Sequence, residues 1–116
     1  MQGKRPDRVN QLIKEEISML LQRELKDPRL GFVTVTEVET SKDLRSAKIF
    51  VSVLGDDAQW KGSMAALESA RGFVRNWLRQ HLELRVTPEL DFRPDHSLEH
   101  AARIQSLLKQ VRAPGS

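Results

Sequence analysis

From residue 6 to about residue 26, apolar side chains fall at Val9, Leu12, Ile13, Ile17, Leu20, Leu21 and Leu25, steps of three and four that trace one stripe of a helix. Pro6 suits the first turn, where its missing N–H is not needed. Asp27-Pro28 should end the helix, because the proline ring disfavours helical geometry in the residue before it, and Gly31 then supplies a flexible joint. The period then changes. Residues 32–39 are rich in β-branched side chains, and from 47 to 54 the residues Ala47, Ile49, Val51 and Val53 share one face while Phe50 stands on the other. The two runs predict a hairpin joined by polar residues 40–46, with no two-residue turn signal to fix its register. Phe50 marks the second strand as central, covered in part on both faces.

After Gly55-Asp56-Asp57 and a loop near residues 60–62, helical spacing returns from 63 to 82, with Met64, Leu67, Ala70, Phe73, Val74, Trp77, Leu78 and His81 as the apolar arc. Gly72 interrupts it. A glycine inside a helix costs roughly 1 kcal/mol relative to alanine, so this position suits a kink, a close approach or a contact that uses the missing side chain. With Arg71 at 0° and about 100° per residue, Arg75 and Arg79 lie at about 40° and 80°, against about 200° and 240° for Phe73 and Trp77. Three guanidinium groups are thus expected opposite the core. Pro88 opens a short strand, 89–93, with Leu90 and Phe92 on one face. Asp95 or Ser97 can cap a last helix that carries Leu98, Ala101, Ala102, Ile104, Leu107, Leu108 and Val111 to about Arg112. The order α-β-β-α(kink)α-β-α predicts an α+β fold: a three-stranded mixed sheet, with helices packed on one face and a parallel, right-handed crossover into the third strand.

The chain has 116 residues, 39% of them hydrophobic, and no cysteine. That length supports one core, so residues 1–116 read as a single domain, structured from about 6 to 112 with flexible ends at 1–5 and 113–116. The absence of cysteine excludes disulfide frameworks, thiolate metal sites and thiol nucleophiles. No apolar run approaches the ~18 residues that span a bilayer, and the charged start does not resemble a signal peptide, so a cytoplasmic protein is expected. The net charge of +3 is unevenly spread. Lys4, Arg5 and Arg8 outweigh Asp7 at the start, and Arg71, Arg75, Arg79 and Arg85 outweigh Glu83 later, while the rest of the chain is slightly acidic. Concentrated positive charge points to a local surface for phosphate, with nucleic acid as the leading partner and solvated helix faces as the plain alternative.

Catalytic constellations are thin. His96-Ser97-Leu98-Glu99-His100 satisfies H-x-x-E-H, but only sixteen residues follow it, and they hold no His, Asp or Glu to act as a third ligand. His96 is expected in a loop and His100 on a helix surface. No Gly-x-Ser-x-Gly elbow, Walker loop or dinucleotide fingerprint occurs, and His81 reads as a partly buried helix residue. No enzyme activity, metal, cofactor or small-molecule substrate is expected. Phe32, Phe50, Phe73 and Phe92 are expected in the core, which argues against base stacking. Trp60, placed in a loop, is either exposed or packed on the hairpin.

An α-β-β-αα-β order with a broken helix pair resembles the type II KH domain, although Ala70-Arg71-Gly72 stands where that fold carries Gly-x-x-Gly. More specifically, the chain resembles the ribosome-binding factor A family, whose KH-like fold replaces the glycine loop with an Ala-x-Gly kink. The resemblance covers nearly the whole chain. It runs through Arg8-Val9, Asp27-Pro28-Arg29-Leu30-Gly31, the stretch from Val33 to Glu39 with Ser41, Asp43-Leu44 and Ala47-Lys48, then Arg85, Pro88-Glu89-Leu90-Asp91-Phe92, Asp95, Ser97 and Arg103-Ile104. Ala101 departs from the family's frequent glycine and should stiffen the last helix. The resemblance implies a monomeric, non-catalytic factor that binds the immature 30S subunit and its 16S rRNA and assists late maturation and 5′-end processing, with importance in the cold. Lys4, Arg5, Arg8, Arg71, Arg75 and Arg79 would grip phosphates, with Ala70 and Gly72 forming the kink. Arg85 is added from the second basic segment, and Arg45 as either an RNA contact or a support for the fold. With the second glycine missing, recognition of folded RNA shape is expected rather than a backbone clamp. The competing class is a protein adaptor that offers the amphipathic first helix and a basic face to a partner.

Overall fold

The computed structural model describes the backbone of residues 4–112 and the side chains of residues 7–111. The elements are α1 (Lys4–Arg23), β1 (Phe32–Thr40), β2 (Ser46–Leu54), α2 (Asp57–Ser69), α3 (Arg71–His81), β3 (Glu89–Pro94) and α4 (Ser97–Arg112). The sheet order is β1-β2-β3. β1 and β2 pair antiparallel, with Val35 opposite Val51, and β2 and β3 pair parallel, with Ile49 opposite Phe92. The predicted mixed sheet and its helical crossover are therefore both present.

One face of the sheet carries the core. Val35, Val38, Ala47, Ile49, Val51, Leu90 and Phe92 meet Ile13, Ile17, Leu20 and Leu21 of α1, Leu67 of α2, and Val74 and Leu78 of α3. The α1 stripe is thus largely spent on the fold, leaving Leu12 and Met19 as its exposed apolar side chains, which weakens the adaptor reading that relied on this helix. α1 ends at Arg23, earlier than the proline implied, and Leu25 still packs against the core from the turn that follows.

The turn between β1 and β2 is set by side chains. Ser41 Oγ accepts from Ser46 N–H and donates to Asp43, whose Oδ1 also accepts from Arg45 N–H, while Leu44 takes a left-handed φ of 62°. Register is further marked by a bulge at Thr36, between Val35 and Glu37. Its hydroxyl donates to Asp95 Oδ2 at 2.6 Å, tying the β1 strand to the chain just beyond β3.

Several expectations need correction. α2 begins at Asp57, not near residue 63, because Asp56 and Gln59 form a capping box: each side chain bonds the other's backbone N–H. Gly55 makes the turn possible at φ 145°, where an added Cβ would collide with Gln59. Trp60 is consequently a helix residue, 8% exposed, and its ring stacks on His96 at 4.1 Å. Of the four phenylalanines, Phe92 is buried and Phe50 partly buried, whereas Phe73 is half exposed and Phe32 is 75% exposed. Phe32 occupies the first position of β1 on the face away from α1, so alternation turns it to solvent. His81 is exposed, its ring stacked on Trp77 at 3.9 Å. α4 departs from the helical layer. Its large apolar side chains are 50–75% exposed, and its first turns lie beside the opposite face of the sheet.

Candidate nucleic-acid interface

Ala70 breaks the helix between α2 and α3. Its N–H bonds back to Ala66 while its carbonyl accepts from Val74 N–H, so one residue ends one helix and starts the next with no capping side chain. After the break, α3 lies beside the entry to β3. An open cleft of about 610 Å³ results, lined by Arg71, Gly72, Arg75, Asn76, Arg79 and Glu89. The three arginines of the sequence pattern are therefore brought together, but not opposite the core. The buried face of α3 is Val74 and Leu78, about 100° from where Phe73 and Trp77 would centre it, which turns Arg71 and Arg75 toward β3.

That rotation gives the arginines different tasks. Arg75 is partly buried and donates from Nε to Pro88 O at 3.1 Å and from Nη2 to Thr87 O at 2.9 Å, with Glu89 at 3.7 Å. It fastens the chain entering β3. Arg71 is exposed and pairs with Glu68 at 3.1 Å, an arrangement that a phosphate can displace because exposed pairs contribute little. Arg79 is exposed and donates to Asn76 Oδ1. Three cations thus face two carboxylates, leaving the cleft positive. Asn76, Glu68 and Glu89 escaped the sequence reading. The first two were legible as helix neighbours of the arginines, whereas Glu89 enters only through packing.

Gly72 lines the cleft. Its backbone is outside the left-handed region, and a Cβ added there would meet nothing within 4 Å. Neither torsion nor packing within the fold requires glycine at this position.

The remaining candidates are dispersed. Arg8 is exposed on α1, and Arg85 is exposed in the connection before β3. The side chains of Lys4 and Arg5 lie outside the described residues. Arg45 is exposed in the hairpin turn, 3.9 Å from Asp43, whose carboxyl is held below its ordinary range chiefly by the Ser41 hydroxyl and then by the Arg45 N–H. The Arg45 carbonyl accepts from Glu89 N–H, which sets this turn next to the cleft. His96 Nδ1 lies 2.7 Å from Glu99 Oε1, and that contact lowers the Glu99 pKa; among the described residues no group of three or more His, Asp or Glu is placed to hold a metal. No helix among them is long and apolar enough to cross a membrane.

This geometry has close relatives. The sequence profile described as Ribosome-binding factor A matches residues 5–108. Ribosome-binding factor A of Halothermothrix orenii is 50% identical over 112 residues, 97% of this chain and 92% of that protein. The crystal structure of ribosome-binding factor A from Thermus thermophilus superposes with a TM-score of 0.69 at 27% identity, covering 77% of this chain and 93% of that one. A Thermus thermophilus homology model of the same factor, fitted into the cryo-EM map of a 30S complex, superposes with a TM-score of 0.64 at 28% identity, covering 75% and 91%. With a matching profile over most of its length, half-identical relatives and the same α+β, KH-like architecture, the chain belongs to the ribosome-binding factor A family.

Proposed function

We propose that this protein binds the 30S ribosomal subunit through 16S rRNA, with the cleft at the α2–α3 break as its phosphate-gripping surface. Gly72 carries the reading. A helical glycine that nothing in the fold demands, beside exposed Arg71 and Arg79, leaves the backbone bare where a phosphate would approach. Arg75 positions the wall of the cleft, and Arg45, Arg8 and Arg85, with Lys4 and Arg5, extend the contact electrostatically. The family's Thermus member, fitted into a 30S complex, supports the choice of partner.

The protein acts by binding, as a monomer of one domain in the cytoplasm, without chemistry or cofactor. Its role is late maturation of the small subunit, including processing of the 5′ end of 16S rRNA, with its largest effect in the cold. Co-sedimentation with purified mature and precursor 30S subunits tests the reading. Binding by the wild type and its loss in Arg71→Ala/Arg79→Ala are expected. Failure of the wild type to sediment with either subunit removes the ribosome assignment, and equal binding by the double variant removes the cleft.

A further inference from the structure

α4 is amphipathic, yet it packs on little. Leu98, Ile104, Leu107, Leu108 and Val111 are each at least half exposed, and among the described residues α4 is not one of the elements that pack closely on another. Sixteen residues make a helix of about 24 Å, and helices of this length are marginal in water without a packed face. The projection is visible in the dimensions of the molecule. Its radius of gyration is 16.8 Å, with extents of 59 × 42 × 19 Å, against about 13 Å for a compact chain of this length.

A second apolar surface is bare beside it. On the sheet face away from α1, Phe32 and Leu54 sit opposite each other at the end of the β1–β2 ladder, 75% and 74% exposed. The two surfaces already confront one another. A cavity of about 410 Å³ is walled on one side by Phe32, Thr34, Ser52 and Leu54 and on the other by Leu98, Glu99 and Ala102. The connection to β3 is short and pinned: Asp95 N–H donates to Val51 O, and the Asp95 carboxylate accepts from Thr36 and from Ser97 N–H.

We propose that α4 is a hinged strap that closes over the open face of this chain's own sheet. In closing, a roll of the helix exchanges Ala102 for Ala101 and seats Leu98, Ala101, Ile104 and Leu108, spaced by three and four, along the Phe32–Leu54 end. The short tether favours this partner over a second copy, because docking within one chain needs no encounter. Opening exposes both apolar surfaces together, so the strap decides whether they are available to anything else. This reading is independent of the phosphate cleft on the other side of the molecule.

Hydrogen exchange of the full chain, read by mass spectrometry at two protein concentrations tenfold apart, tests it. Amides of residues 98–108 are expected to exchange at least about tenfold slower than the unstructured rate, equally at both concentrations. Leu108→Asp should abolish that protection, while Gln110→Asp, on the opposite side of the helix and within the same last turns, should keep it. Because residue 108 lies outside the core, the α1 and β2 amides report that the body is unchanged. Unprotected α4 in the wild type, protection that grows with concentration, or equal loss in both variants would overturn the strap.

Discussion

Replacing Gly72 with alanine separates what the fold needs from what a ligand needs. The added methyl meets open space, and the backbone already has a conformation that alanine adopts. The substitution therefore removes conformational freedom from the unfolded chain and should stabilise the protein by about 0.5–1 kcal/mol. For a domain of this size that is a rise in melting temperature of roughly 2–6 °C. In the complex the same methyl stands between the backbone and the phosphate proposed to lie in the cleft. Losing one charge-assisted hydrogen bond costs about 1.5–3 kcal/mol, so affinity for 30S subunits should fall by roughly tenfold or more. Urea denaturation gives the first quantity and a co-sedimentation titration at fixed salt gives the second. A variant that is more stable and binds like the wild type would refute the close approach, and a destabilised variant would show that the fold itself requires glycine here.

Other outcomes follow from the same geometry. Arg75→Ala should destabilise the protein by about 1–2 kcal/mol by stripping the Thr87 and Pro88 carbonyls of their donor, whereas Arg71→Ala/Arg79→Ala should leave stability within about 0.5 kcal/mol of the wild type, as thermal melts can distinguish. In that double variant, the slope of log affinity against log salt should become shallower by roughly 1.5 if both groups meet phosphates. Ser63→Ala should lose about 1–2 kcal/mol in urea denaturation, because this fully buried hydroxyl accepts from Gly31 N–H at 2.9 Å. The Thr36 hydroxyl, more than the Ser97 N–H, holds the Asp95 carboxyl below its ordinary value of 3.8. That contribution is full above the ordinary carboxylate range and lost as pH falls through the lowered pKa. Thr36→Val should thus be less stable than the wild type by about 1 kcal/mol at neutral pH, and denaturation from pH 7 to pH 3 should show the gap closing toward acid.

The period of the apolar residues by itself determined that α1 alternates with a β1–β2 hairpin, that a glycine-marked break divides two helices, and that Leu90 and Phe92 return to the sheet. Those features are local, since a stripe at 3.6 residues or an alternation at two is written into neighbouring side chains. The start of α2 is equally local, written in the spacing of Asp56 and Gln59, although Trp60-Lys61-Gly62 by itself suggests a loop. Tertiary structure decided the rest. Which side of α3 is buried depends on where α1 and β3 lie, so Phe73 turned out half exposed and Arg75 became an anchor on Thr87 and Pro88. The charge pattern could place three arginines on one helix, but a guanidinium held by backbone carbonyls and one free to meet phosphate are alike in sequence. They differ only in what the fold sets beside them.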